Sequence, residues 1–199
     1  MFFILGTSCM LLAGALALPR ARTELSGVGG ISGVTFLLAL VAYGGLAASA
    51  IAAVYVGEWP LVVPVLPAAI GGVVLLSAGT LLYGTARLAF RSFALTWGLA
   101  TDRLVSDGLY VWSRNPQSVG WTLMVLGGGL LGRSASTLAL GVVYWISCVV
   151  WIPLEERALH DRLGKQYDDY RKRVPRWFGV PRDGLRGRCL RCHRDSRGD

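Results

Sequence analysis

Five apolar stretches, separated by short polar links, constrain the fold of this chain more than any other feature. They cover residues 2–18, 31–56, 61–83, 117–132 and 135–152. A helix that crosses a bilayer needs roughly 20 apolar residues. Only 16% of the residues are charged and the mean hydropathy is +0.50, too apolar for a soluble domain of this length. We therefore expect an all-α integral membrane protein with about five transmembrane helices, the last two forming a tight hairpin.

The first apolar stretch has two interpretations. Ala15-Leu16-Ala17 could be the cleavage site of a signal peptide, but no positive charge precedes the stretch, whereas Arg20 and Arg22 follow it. Charges on that side favour a retained helix with an external N-terminus. Five crossings also place most Lys and Arg residues on one side. We therefore expect a multi-pass protein of the cell inner membrane with a cytosolic C-terminus.

The net charge of +8 comes from basic residues beside the apolar stretches and in the last part of the chain. That distribution is typical of the positive-inside rule and of attraction to anionic headgroups. We expect membrane lipids as partners and no nucleic acid, and we infer no obligatory protein partner. The predicted regions are three N-terminal spans in 1–83, a catalytic region in 84–178 and a basic disordered tail in 179–199.

Two short cytosolic helices are predicted to lie on the membrane surface after the last span. Leu154–Leu163 has an amphipathic pattern that is stopped by Gly164, and Gln166–Arg173 has another that stops before Pro175. The residue before a proline is pushed out of helical geometry, which sets the second boundary. Both segments would lie at the interface between headgroups and water.

Two polar signals bracket the last helical hairpin: Arg114-Asn115-Pro116 before it and Glu155-Glu156 after it. Taken alone, Asn115 and Pro116 suit the start of a helix, and acidic residues suit its first turn. However, ionisable groups at membrane depth are costly, and a guanidinium is suited to bind a carboxylate or phosphate. We expect the two signals to meet on one side of the membrane and to hold a charged cofactor.

The order and spacing of motifs between Leu104 and Phe178 carry a resemblance. They are Gly108-Leu109-Tyr110, Arg114-Asn115-Pro116-Gln117-Ser118-Val119-Gly120, Glu155-Glu156, Leu163-Gly164-x-x-Tyr167-x-x-Tyr170 and Val174-Pro175. This pattern resembles the membrane methyltransferases of the isoprenylcysteine carboxyl methyltransferase and phospholipid methyltransferase superfamily. The chain departs from the usual pattern at Asn115, where the family has His, and at Ser118, where it has Tyr.

The resemblance implies transfer of a methyl group from S-adenosylmethionine to a lipophilic acceptor, either a prenylcysteine-like carboxylate or a lipid amine. In this interpretation Arg114, Glu155 and Glu156 are catalytic. Either glutamate would meet the ammonium of the cofactor, and Arg114, Arg171 or Arg173 would meet its carboxylate. The implied cofactor-binding residues are Tyr110, Arg114, Asn115, Pro116, Ser118, Gly120, Glu155, Glu156, Tyr167, Tyr170 and Arg173.

Other functions remain open from the sequence. One is a nicotinamide-dependent membrane reductase of the related sterol reductase type, although such proteins carry more spans than this short chain. Another is a non-catalytic lipid-binding relative, which Asn115 and Ser118 would suit. Cys189-Leu190-Arg191-Cys192-His193 spells a haem attachment pattern, but its cytosolic placement and polar surroundings argue against haem, and two Cys and one His are too few for a closed zinc site. We expect no metal.

Overall fold

Six α-helices make up the described part of the chain, which comprises residues 1–27, 30–90 and 104–181 of a computed structural model. They are α1 (Phe2–Gly27), α2 (Gly33–Tyr55), α3 (Val65–Phe90), α4 (Pro116–Leu131), α5 (Ala135–Leu163) and α6 (Lys165–Arg173), with a short 3-10 turn at Gly108–Val111 before α4. The prediction of an all-α protein is confirmed. The predicted tail motif with Cys189, Cys192 and His193 lies outside the described residues.

Four of these helices, α1, α2, α3 and α5, are long and apolar enough to cross a membrane. Helix α4 has 16 residues and is therefore about 24 Å long, shorter than the hydrocarbon core of a bilayer. Its two ends nevertheless lie at opposite ends of the bundle. Asn115, before α4, contacts the segment after α6, whereas Arg133, after α4, accepts a hydrogen bond from the backbone of Leu61 in the α2–α3 link. The protein is thus a multi-pass integral membrane protein.

Helices α3 and α4 touch backbone to backbone through two pairs of glycines. A Cβ atom on Gly79 would lie 2.6 Å from the carbonyl oxygen of Gly120, and one on Gly127 would lie 2.5 Å from the amide nitrogen of Leu76. Gly72 faces Gly127 in the same way. In a bilayer, helices associate through such close packing of small residues. This contact fixes α4, and with it the polar segment that precedes α4, against α3.

Helix α5 continues through Pro153 to Leu163 as one helix of 29 residues, so the separate interfacial helix predicted for Leu154–Leu163 is wrong. A proline inside a helix removes one backbone hydrogen bond, but tertiary packing compensates here. Ala158, on the far side of the proline, is buried against Ala21 and Leu25 of α1. The predicted break at Gly164 is present, with φ of 50° at that glycine, and α6 follows it.

The end of the bundle opposite the polar segment is tied together by Glu58. Its carboxylate accepts a hydrogen bond from the backbone of Phe3, and its carbonyl accepts bonds from the hydroxyls of Ser134 and Ser136. The α1 start, the α2–α3 link and the α4–α5 turn therefore lie together. Consequently the α3 end, the start of α4 and the end of α5 share the other end, where the candidate site is formed.

Candidate active site

Arg114 and Glu156 form a buried ion pair between the start of α4 and the end of α5. The Nη1 atom of Arg114 lies 2.8 Å from Oε1 of Glu156, and the two side chains are 10% and 9% exposed. The same nitrogen donates a hydrogen bond of 3.3 Å to the hydroxyl of Tyr167 on α6. An antiparallel hairpin returns its second helix to the level at which the first began, which explains why residues 42 positions apart meet. The structure thus brings the two polar signals together.

Arg176 is a second arginine on Glu156, and the sequence interpretation missed it. Its Nη2 lies 2.6 Å from Oε2 and its Nε donates to Oε1 at 3.1 Å, and these bonds raise the pKa of the guanidinium. After α6 ends, the chain crosses the start of α4. The backbone N–H of Arg114 donates to the carbonyl of Pro175, and the side-chain amide of Asn115 donates to the carbonyl of Arg176. In the sequence, the position of Arg176 directly after the Val174-Pro175 motif could have indicated that this arginine belongs to the site.

Glu155 and Glu156 point in different directions because successive residues on an α-helix are rotated by about 100°. Glu156 is buried and faces the two arginines. Glu155 is exposed, faces a cavity, and accepts a hydrogen bond of 2.7 Å from the indole nitrogen of Trp151 one turn earlier. The acidic pair is therefore divided between an internal ion cluster and an open carboxylate.

Three tyrosines form an aromatic wall beside the ion cluster. The hydroxyl of Tyr170 donates to the carbonyl of Tyr110 at 2.8 Å, and the rings of Tyr167 and Tyr170 have centroids 6.2 Å apart. Burial raises the pKa of Tyr167 to about 12 and raises the pKa of Tyr110 and of Tyr170 well above the usual range. All three phenols therefore stay protonated near neutral pH and present uncharged, aromatic surfaces.

A cavity of about 500 Å³ joins these groups to the interior of the bundle. Its size lies within the range of small-molecule sites. One end is polar and is lined by Tyr110, Arg114, Asn115, Ser118, Glu155, Glu156, Tyr167 and Tyr170. The rest of the lining is mostly apolar and includes Leu40 and Ala47, which lie deeper along α2. The cavity can thus hold a molecule that is charged at one end and apolar at the other.

Comparison with known proteins identifies the family. A sequence model described as phospholipid methyltransferase matches residues 67–166, half of the chain. The chain belongs to this family. The matched residues include almost all of α3 and the whole of α4 and α5, with Arg114, Glu155 and Glu156, whereas α1 and α2 lie outside them. The resemblance expected from the sequence motifs is confirmed.

Relatives of this phospholipid methyltransferase family member carry the name protein-S-isoprenylcysteine O-methyltransferase. The one from Schizosaccharomyces pombe is 40% identical over 79 residues, 39% of this chain and 33% of that protein. The B protein of Arabidopsis thaliana is 36% identical over 80 residues, 40% of each chain. The Mus musculus protein is 33% identical over 87 residues, 41% of this chain and 28% of that protein. The match therefore spans well under half of these relatives. No solved structure matches the chain.

Several residues predicted to bind the cofactor lie elsewhere in this methyltransferase family member. Gly120 packs against the backbone of α3, and Pro116 is buried at the start of α4. Arg173 donates to the carbonyl of Asp169 within α6, and Arg171 lies 3.6 Å from Asp168. These four sites lie outside the cavity lining as far as the described residues define it. Their contacts in the structure are with helix backbone and within α6, and their role in cofactor binding stays a prediction.

Asn115 and Ser118 do line the cavity. The side chain of Asn115 is engaged with the carbonyl of Arg176, so it anchors the crossing segment that carries this arginine. Within the described ranges, no group of three His, Cys, Asp or Glu side chains is arranged to hold a metal ion. The polar side chains that line the cavity carry guanidinium, carboxylate, amide, hydroxyl and phenol groups.

Proposed function

We propose that this protein transfers a methyl group from S-adenosylmethionine to the carboxylate of a lipophilic, S-isoprenylcysteine-like acceptor. The observation that carries the proposal is a single cavity whose lining combines the Arg114–Glu156 ion pair, the open carboxylate of Glu155 and an apolar wall from α2. Family membership supports the reaction type, and the names of the relatives support the acceptor class.

The residues present fit S-adenosylmethionine, which bears an ammonium, a sulfonium, a carboxylate and an adenine ring. The Nε atom of Arg114 is buried and lacks a hydrogen-bond partner among the described residues. Leaving a buried donor unsatisfied is costly, and a ligand carboxylate would satisfy it with a charge-assisted bond. The open carboxylate of Glu155 suits the ammonium, and the tyrosine wall suits the adenine. We assign the internal, doubly paired Glu156 to holding the two arginines in place.

S-adenosylmethionine supplies a methyl group already activated on sulfur, so a carboxylate oxygen can displace the thioether without losing a proton. The tasks left to the protein are alignment and exclusion of water. Arg114 would bind the polar end of the methyl donor, Arg176 would hold Glu156 beside it, and the tyrosine wall formed by Tyr110, Tyr167 and Tyr170 would cover it. The buried position of Arg114 in a largely apolar cavity strengthens its interaction with an anion relative to water.

A lipid amine is the second candidate acceptor, and two observations favour it. The matching family is described as phospholipid methyltransferase, and an amine must release a proton on methylation. Glu155 faces the cavity and is placed to accept that proton. The choice between the two acceptors therefore depends on whether Glu155 acts as a base or only as a partner for the donor's ammonium.

We also propose that the site faces the cytosol, from a cell inner membrane. Among the Lys and Arg of the described residues, Arg133 alone lies at the Glu58 end of the bundle. The others lie at or beyond the site end, as the positive-inside rule requires of a cytosolic face. A water-soluble methyl donor would enter from that side, and the lipophilic acceptor would enter from the bilayer.

The direct test uses purified protein in detergent and methyl-labelled S-adenosylmethionine with one of two acceptors, an N-acetylated S-farnesylcysteine or a phosphatidylethanolamine, and a control without acceptor. We expect label in the farnesylcysteine ester, which base releases as methanol. Label in the phospholipid headgroup instead would select the amine reaction. Stabilisation of the protein by NADPH, without stabilisation by S-adenosylmethionine, would refute both and favour a reductase. Absence of label with a folded protein that binds lipid would favour a non-catalytic relative.

A further inference from the structure

Arg87 is a second arginine on the cavity wall, and it belongs to a helix other than those that carry the ion cluster. It lies in the last turn of α3 and lines the cavity together with Arg114. The packing of α3 on α4 fixes its level, because a Cβ atom on Gly120 would meet the backbone of Tyr83 at 2.7 Å and Arg87 follows Tyr83 by one helical turn. Arg87 therefore stands at the level at which α4 begins, beside the polar end of the cavity.

The ring of Tyr83 holds the guanidinium of Arg87. The Cζ atom of Arg87 lies over that ring, 5.6 Å from its centroid, and the ring packs against Trp121 of α4 with 6.0 Å between centroids. Both aromatic side chains also line the cavity. A cation over an aromatic face is attracted to the ring electrostatically. Since a guanidinium carries its five N–H donors in its own plane, this contact is compatible with hydrogen bonds to a carboxylate.

The charged side chains of the cavity wall divide into a closed pair and two further groups. Arg114 and Glu156 form the buried ion pair. Arg87 on α3 and Glu155 on α5 are the other charged residues of the described lining, and the charges of both reach the hydroxyl of Tyr110. With the ammonium of the methyl donor assigned to Glu155 and its carboxylate to the Nε atom of Arg114, Arg87 is the cation of the lining that the donor does not use.

We propose that Arg87 binds the carboxylate of the methyl acceptor and thereby selects a carboxylate over an amine. The inference rests on the proposed methyl transfer and names the residue that recognises the acceptor. A guanidinium attracts a carboxylate through a charge-assisted hydrogen bond, and it repels the ammonium of a protonated lipid amine. One carboxylate oxygen held by Arg87 leaves the other to form the new O–CH3 bond, while the C–S bond breaks and its electron pair stays on the sulfur of the neutral thioether. This route releases no proton and needs no base.

The test measures how much the carboxylate of the acceptor contributes to its binding. Tritiated N-acetyl S-farnesylcysteine and its neutral carboxamide are captured on the solubilised protein, and their Kd values are compared. We expect the wild type to bind the acid about tenfold or more tightly than the amide. In Arg87→Gln the acid and the amide should bind equally, with an unchanged Kd for S-adenosylmethionine. Arg157→Gln is the matched control, because Arg157 near the same end of α5 is exposed and lies outside the described cavity lining.

Arg87→Met serves if Arg87→Gln does not fold, because methionine keeps an unbranched stem that can pack on the ring of Tyr83 without the charge. Loss of the preference for the acid in the Arg87 variant, but not in Arg157→Gln, supports the assignment even if no methyl transfer is seen, in which case the proposed reaction alone fails. A preference that survives without Arg87, or that the wild type lacks, overturns the assignment even where methyl transfer is observed.

Two other anions could reach Arg87, and the same proteins distinguish them from the acceptor's carboxylate. A raised Kd for S-adenosylmethionine with an unchanged preference for the acid would place Arg87 at the carboxylate of the methyl donor and overturn the proposal. Weaker capture of phosphatidylethanolamine by Arg87→Gln, with unchanged capture of the acid, would place Arg87 at a phospholipid phosphate and overturn it as well.

Discussion

Replacing the two glutamates of the acidic pair one at a time by glutamine should have different consequences. Glu156→Gln should lower the stability of the protein, whereas Glu155→Gln should weaken binding of S-adenosylmethionine. In Glu156→Gln the charge that balances Arg114 disappears, although the side chain keeps its shape. Removing one partner of a buried ion pair costs about 3–5 kcal/mol. Arg114 is 10% exposed, so this cost applies to it, whereas Arg176 is 41% exposed and contributes little. We therefore expect a loss of about 3 kcal/mol in the free energy of unfolding.

For a chain of this length, each kcal/mol shifts the Tm by roughly 2–4 °C, so Glu156→Gln should lower it by about 6–12 °C. Glu155→Gln should leave the Tm within about 2 °C, because glutamine can still accept the bond from Trp151. The second variant should instead weaken binding of S-adenosylmethionine. Circular dichroism melting of both proteins in one detergent, with calorimetry of donor binding at low temperature, measures the two effects. Equal destabilisation by both variants, or an unchanged Tm in Glu156→Gln, would refute the division of the acidic pair.

Three further predictions follow from the packing and the tyrosine wall. Gly120→Ala puts a Cβ atom 2.7 Å from the α3 backbone and should lower the free energy of unfolding by about 1–3 kcal/mol, whereas Gly128→Ala should not; equal melting would contradict the close helix contact. Tyr170→Phe loses the bond to the carbonyl of Tyr110 and should cost about 1 kcal/mol, which chemical unfolding measures. The pKa of Tyr167 is raised to about 12, so the contribution of the protonated Tyr167 to stability is complete below about pH 10 and is lost as the pH rises through about 12. Ultraviolet absorbance of the folded protein measures the phenolate. A phenolate signal at pH 10 that is present in the wild type and missing in Tyr167→Phe would contradict this prediction.

The meeting of Arg114 with the acidic pair could be predicted from the sequence because a hairpin of two apolar helices leaves few alternatives. The chain before α4 and the chain at the end of α5 must return to the same side of the membrane. Costly polar groups at membrane depth then have reason to pair. The order of the motifs also pointed to the family, because the motif before α4 and the motif at the end of α5 are separated by the length of the hairpin that brings them together.

The partners of each side chain could not be read from the sequence. Arg176 reaches Glu156 only because the chain folds back across the start of α4, a tertiary event fixed by the Pro175 carbonyl and the Asn115 amide. Gly120 looked like part of the binding motif, yet it packs against α3. The spacing of seven residues between Gly120 and Gly127, repeated in α3, signalled this contact, but only with knowledge of which helices are neighbours.

Isothermal calorimetry with S-adenosylmethionine and the purified protein tests the central claim most directly. The account predicts one binding site in the wild-type protein and in Gly128→Ala. It predicts strongly weakened binding in Glu155→Gln at an unchanged Tm. A folded wild-type protein that releases no heat with S-adenosylmethionine, or a Glu155→Gln variant that binds it as tightly as the wild type does, would contradict the claim that this cavity holds the methyl donor.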